Sequence, residues 1–187
     1  VRHLQRPLQQ LGVGETGEHG GPCHDSGGRS GDVGGPAESV PVRDVLVAGS
    51  LPPVCGSYRP DLLDVDHARA VLAVLISALA PYVDHWLAET LSSLEEARLV
   101  AALTIPTGMP LWLSFTLKDD IASNKPVLRS GESVSDAARL AADLGAAALL
   151  FNCSQPEVMD AAIRAARTEI GANSAMRIGV YANAFPP

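Results

Sequence analysis

The chain has 187 residues, 47% of them hydrophobic, enough to bury one sizeable core. Its formal charge of -7 and pI near 5.1 argue against nucleic acid or anionic membrane as the main partner, because either would call for a basic patch. Three cysteines, Cys23, Cys55 and Cys153, lie far apart without C-x-x-C spacing; neither a disulfide framework nor a zinc knuckle is indicated, and a reducing cytoplasm is the expected setting.

Residues 1–43 are rich in Gly, as in GETGEHGGP and SGGRSGDVGGP, and poor in aromatic and β-branched residues. Such a segment buries too little apolar surface to offset its ordering entropy, so it is expected to be disordered or outside the folded domain. The folded domain is expected over 44–187. There, short apolar runs recur: VLVAGS (45–50), HWLAET (85–90), PLWLSFT (110–116), AALLFNCS (147–154) and RIGVYANAF (177–185). These read as strands buried on both faces of a parallel sheet. The longest apolar stretch, Ala68 to Ala80, is shorter than a membrane span and carries Arg69 and Ser77.

Helix signals fill the gaps between runs. Ser92 and Glu95 offer a capping box, Ser133 to Asp136 repeats it, and Ser154-Gln155-Pro156-Glu157 supplies a cap, an early Pro and an acidic first turn. Gly145 and Gly171 provide the stops. The spacing predicts alternating β and α units of about 33 residues, close to one eighth of a barrel of roughly 250 residues.

Every apolar run ends in polar side chains: Ser50, Glu89 with Thr90, Ser114 with Thr116, Asn152 with Cys153, and Asn183. In a (β/α)8 barrel those ends converge on one mouth, whereas a doubly wound sheet would show a Gly-rich phosphate turn after its first strand. VAGSLPPVCGSY has no G-x-G-x-x-G, so a barrel arc is expected. Cys153, between a buried strand and a helix start, reads either as an inert thiol or as a metal ligand or nucleophile favoured by the helix dipole. Glu89, ending a very apolar run, needs a cation, a metal or strong donors, the plain alternative being an ion pair with Arg59 or Arg129. His85 starts a strand and reads as a surface or satisfied histidine. Cys55 and Cys23 fall in loop sequence. Asn152 and Asn183 either line the mouth or tie down loop backbone. The long connection Leu117 to Val134 is expected either to cover a substrate or to be solvated surface.

The segments VLVAGSLPP with Tyr58-Arg59-Pro60, LAETLSSLEEAR, PLWLSFTLKDD, LRSGESV, ALLFNCSQPE and GVYANAFPP, in this order, resemble the homocysteine S-methyltransferase family of zinc-dependent (β/α)8 barrels. The resemblance implies an α/β fold, a partial TIM barrel of about five βα units corresponding to strands three to seven. It implies methyl transfer from a sulfonium or ammonium donor, such as S-methylmethionine, S-adenosylmethionine or betaine, to homocysteine, giving methionine. By position it makes Cys153 a zinc thiolate and Glu89 the acidic residue holding the homocysteine ammonium, with Asn152, Asn183, Ser114 and Thr116 lining the pocket. Zinc would deprotonate a thiol whose ordinary pKa is about 8.5 while leaving its sulfur nucleophilic.

The family's two other zinc thiolates come from a Gly-Gly-Cys-Cys run, and this sequence has none. Truncation at both ends, an incomplete zinc site and little or no activity of this chain alone are therefore expected. Two other readings stand beside this one: a barrel enzyme using Glu89 as general base, and a non-catalytic chain that associates through exposed sheet edges.

Overall fold

The computed structural model describes residues 45–119 and 125–183, and the expectation for 1–43 lies outside them. Five strands, β1 (Ala48–Leu51), β2 (His85–Leu91), β3 (Leu111–Phe115), β4 (Ala148–Asn152) and β5 (Arg177–Tyr181), form one parallel sheet in the order β1-β2-β3-β4-β5. Four helices alternate with them: α1 (Val65–Leu79), α2 (Leu94–Thr104), α3 (Val134–Asp143) and α4 (Pro156–Ile170). Among the described residues, neighbours in sequence are neighbours in the sheet, so the order of these strands never reverses and shows no switch point of the doubly wound kind. A sequential parallel order with right-handed crossovers keeps the helices on one face, compatible with an arc of a barrel.

The two faces differ in chemistry. Trp86, Ala88, Leu111, Leu113, Phe115, Leu149 and Phe151 alternate onto the helix-covered face and are buried. The other face carries Ser50, Leu87, Glu89, Trp112, Ser114, Leu150, Asn152 and Tyr181 in register across the strands. The expectation of burial on both faces therefore fails at the margins: Ala48, Ser50, Val180 and Tyr181 are exposed, because β1 and β5 each have one strand neighbour among the described residues.

Local chemistry explains the helix starts, with two corrections. Ser93, not Ser92, caps α2: its hydroxyl accepts from the Glu96 amide at 3.2 Å, and the Glu96 carboxylate accepts from the Ser93 amide at 3.0 Å. The box slips by one residue because Ser92 still belongs to the chain leaving β2, where its own amide also donates to Glu96 at 2.5 Å. Burial pushes the Glu96 carboxyl up, opposed by those amide donors. Ser133 caps α3 as expected, accepting from the Asp136 amide at 3.0 Å. Ser154 does not cap α4; Gln155 stands at the cap without a side-chain bond, Pro156 begins the helix, and Ser154 is spent on the strand ends.

Helix α1 with the following turn, Val65–Tyr82, is apolar and long enough by composition to suit a membrane. Ala68, Leu72 and Ile76, spaced on one face, are buried in the core, while most of the rest of this span, Val74 and Tyr82 included, is not. At Gly49 a β-carbon would stand 2.6 Å from the Trp86 ring, so glycine there lets the buried indole lie flat on β1. The Trp86 Nε1 donates to Thr107 Oγ1 at 2.9 Å, which satisfies its polar end.

Candidate functional site

The carboxyl ends of β2, β3, β4 and β5 meet around Asn152. This side chain is 1% exposed and makes four bonds. Its Oδ1 accepts from Ser114 Oγ at 2.8 Å and from the Thr90 amide at 3.2 Å; its Nδ2 donates to Thr90 Oγ1 at 2.9 Å and to the Cys153 sulfur at 3.1 Å. A buried amide is tolerated only when satisfied in this way.

Thr90 needs that support. Its φ is 58°, a left-handed backbone that a β-branched residue enters at a cost of roughly 1–2 kcal/mol. The β2–β3 pairing steps from Ala88↔Leu113 to Leu91↔Phe115, so β2 carries a bulge at Glu89 and Thr90. Bulges re-aim side chains. Here the bulge comes where Glu89 leaves the ladder, and its Oε1 accepts from Ser50 Oγ at 2.5 Å while Oε2 accepts from the Tyr181 hydroxyl at 3.4 Å. The ion-pair alternative for Glu89 does not hold among the described residues, since Arg59 pairs with Asp61 and Arg129 with Asp119. Burial pushes the Tyr181 hydroxyl up to about 12, and the Glu89 charge adds to the shift.

Cys153 follows β4 with a φ of 51°, again left-handed, and is half-buried. Its carbonyl accepts from Thr116 Oγ1 at 3.3 Å. Burial raises the Tyr58 hydroxyl pKa, and a hydrogen bond with the Cys153 thiol raises it further. Tyr58 is itself left-handed at φ 65°, so three strained non-glycine residues cluster at these strand ends. Asn183 is brought to the same end of the sheet by its backbone, its amide donating to the Ser154 carbonyl at 3.1 Å. Ser114 and Thr116 are fully buried beneath the turn, bonded to Asn152 and Ser154 respectively.

Three expected bystanders resolve as follows. His85 is 7% exposed, its ring centre 4.4 Å from that of Trp112 and tilted 38° to it, and its Nδ1 has no partner among the described residues, so it is neither a surface nor a satisfied histidine. Cys55 is engaged with the Asp64 backbone, whose amide lies 3.4 Å from its sulfur. Cys23 lies outside the described residues. The connection after β3 is partly pinned: Leu117 bridges Leu128, Val127 bridges Ser133, and Asp119 accepts from the Gln155 amide at 2.8 Å.

Sequence reasoning named Glu89, Ser114, Thr116, Asn152, Cys153 and Asn183, and the structure brings all of them to one end of the sheet. That reasoning gave Thr90 only as a polar run end, Tyr58 only as part of a motif and Arg129 only as an ion-pair candidate for Glu89, without placing Tyr58 or Arg129 in the cluster, and it missed Tyr181. The alternation in RIGVY could have placed Tyr181 on the face of Asn152, its register partner; no periodicity marks Tyr58 or Arg129, which come from loops.

Among the described residues, no group of three His, Cys, Asp or Glu side chains lies close enough to hold a metal ion. A zinc site takes about three protein ligands. One thiol at Cys153, with an amide and a phenol beside it, does not amount to such a donor set.

Among curated proteins, no sequence matches the chain. A family model described as homocysteine S-methyltransferase matches residues 30–187, reaching upstream of the expected boundary at residue 44. With most of its length matched, the chain belongs to the homocysteine S-methyltransferase family, a family of methyltransferases.

Proposed function

We propose that these strand ends, part of a (β/α)8 barrel, form the thiol-substrate side of a site that methylates homocysteine from a sulfonium or ammonium donor. The observation that carries this reading is the convergence of Glu89, Asn152 and Cys153 at one end of the sheet, joined through Thr90. A carboxylate held by two hydroxyls suits a substrate ammonium: Ser50 and Tyr181 fix its orientation without neutralising it. Asn152, by donating to sulfur, orients the Cys153 thiol. Closing water out of such a mouth would protect the electrophilic methyl group from hydrolysis.

The family resemblance assigns Cys153 to zinc, whose chemistry would be to hold the substrate thiol deprotonated. The described residues bring one cysteine sulfur to this end of the sheet, with no further His, Cys, Asp or Glu close enough to complete a metal site, so no step is derived through the metal. We predict weak, substoichiometric zinc in the purified chain and little or no methyl transfer by the chain alone.

The test offers homocysteine with each of S-methylmethionine, S-adenosylmethionine and betaine, with and without zinc, and reads methionine by mass spectrometry alongside metal content. Tight stoichiometric zinc with turnover would overturn the inactivity claim. Turnover indifferent to chelators and abolished by Glu89→Gln would favour a general-base enzyme instead. Loss of homocysteine binding in Glu89→Gln, with folding intact, is the expected result.

A further inference from the structure

We infer that Arg129 and Tyr58 form a carboxylate-binding subsite beside Cys153, taking the carboxylate of an amino-acid-type substrate. Arg129 comes from the connection between β3 and α3. Its Nη2 donates to Asp119 at 2.8 Å, its Nε to Thr116 Oγ1 at 3.5 Å, and its guanidinium carbon lies 5.2 Å from the centre of the Tyr58 ring. Thr116 Oγ1 in turn donates to the Cys153 carbonyl at 3.3 Å, so the guanidinium stands one hydroxyl away from the thiol-bearing turn. The Nη1 group makes no hydrogen bond among the described residues.

The side chain is 24% exposed, open enough for a ligand yet held on several sides. A guanidinium fixed in this way has already lost most of its rotamer freedom, and its planar fork matches a carboxylate. Asp119 does not exhaust it, since that carboxylate also accepts the Gln155 amide at 2.8 Å and shares its charge between the two donors. The cation's other neighbour is the face of an aromatic ring, which leaves its outward N–H groups available. Arg59 and Arg164, by contrast, are spent on carboxylates two and four residues away along the chain, and Arg139 on Asp136 and Glu169.

The inference rests on the proposed function and deepens it. Homocysteine carries a carboxylate beside its ammonium, and so do the sulfonium and betaine donors. Glu89 suits the ammonium and repels the carboxylate; Arg129 supplies the opposite charge at the same end of the sheet. The shared chemistry is a carboxylate, and two pairs of probes separate its sources.

The experiment is calorimetric titration of the full chain and of Arg129→Gln. The thiol pair is L-homocysteine and 3-aminopropane-1-thiol; the sulfonium pair is S-methylmethionine and (3-aminopropyl)dimethylsulfonium. Each second member lacks only the carboxylate. Arg129→Gln is expected to weaken the carboxylate-bearing member of one pair by about 10-fold or more and its decarboxylated partner by less than about twofold. A response confined to the thiol pair assigns the subsite to homocysteine, and one confined to the sulfonium pair assigns it to the methyl donor. Arg129→Lys keeps the charge and loses the fork, so a smaller loss of about threefold, again only for carboxylate ligands, is expected and carries the test if Arg129→Gln does not fold.

Unchanged affinities, or equal losses for both members of each pair, overturn the inference while leaving the proposed function standing. Failure of the wild-type chain to bind any of the four probes overturns both.

Discussion

Asn152 is the residue on which the strand ends depend. Its four bonds join β2, β3 and the Cys153 turn, and two of them brace the left-handed Thr90. Truncation to alanine would leave the Ser114 hydroxyl and the Thr90 amide without their acceptor, each unsatisfied buried group costing about 1–3 kcal/mol. We predict that Asn152→Ala lowers the unfolding free energy by about 3 kcal/mol, read from urea denaturation. A loss below about 1 kcal/mol would mean that water replaces the amide and that the bulge stands without it. Asn could be singled out from sequence because it ends an apolar run. That Thr90 and Ser114, themselves polar run ends, are its partners could not be read there, because they reach it only through the register of three strands.

Among the elements, the sheet and helix α2 show how far local signals reach. The capping box before α2 is legible as a cluster of Ser and Glu, yet the box closes on Ser93 and Glu96, one residue beyond the expected pair. The reason is tertiary: the bulge in β2 extends that strand to Leu91 and keeps Ser92 outside the helix. The β1–β2 pair depends on a second detail. Gly49 pairs with Trp86, and the indole occupies the space a β-carbon would need. Gly49→Ala is predicted to destabilise by about 1–3 kcal/mol, the usual cost of overpacking. Calorimetric melting of the variant tests this, and an unchanged melting temperature would show that β1 shifts freely on β2.

For the whole molecule, the consequence of the sequential strand order is a pair of outer edges. Among the described residues β1 and β5 each pair on one side only, and Val45, Leu46 and Val47 beside β1 are exposed, as are Val180 and Tyr181 in β5. Unpaired parallel edges flanked by apolar side chains favour association. We predict that sedimentation velocity shows mass rising with concentration; a compact monomer across the whole range would count against it. The five apolar runs, their spacing and the polar residue closing each run are properties of the sequence alone, because hydrophobic periodicity and chain-local capping need no partner. They were sufficient for the α/β class, the sequential β and α order and the placement of Glu89, Asn152 and Cys153 at one end of the sheet. Only the tertiary structure decided that Glu89 is held by Ser50 and Tyr181, that Asn152 braces a bulge, and that Tyr58 and Arg129 lie beside Cys153. Each of those contacts joins side chains distant in sequence, and their meeting is fixed by strand register and loop path, which no local pattern encodes.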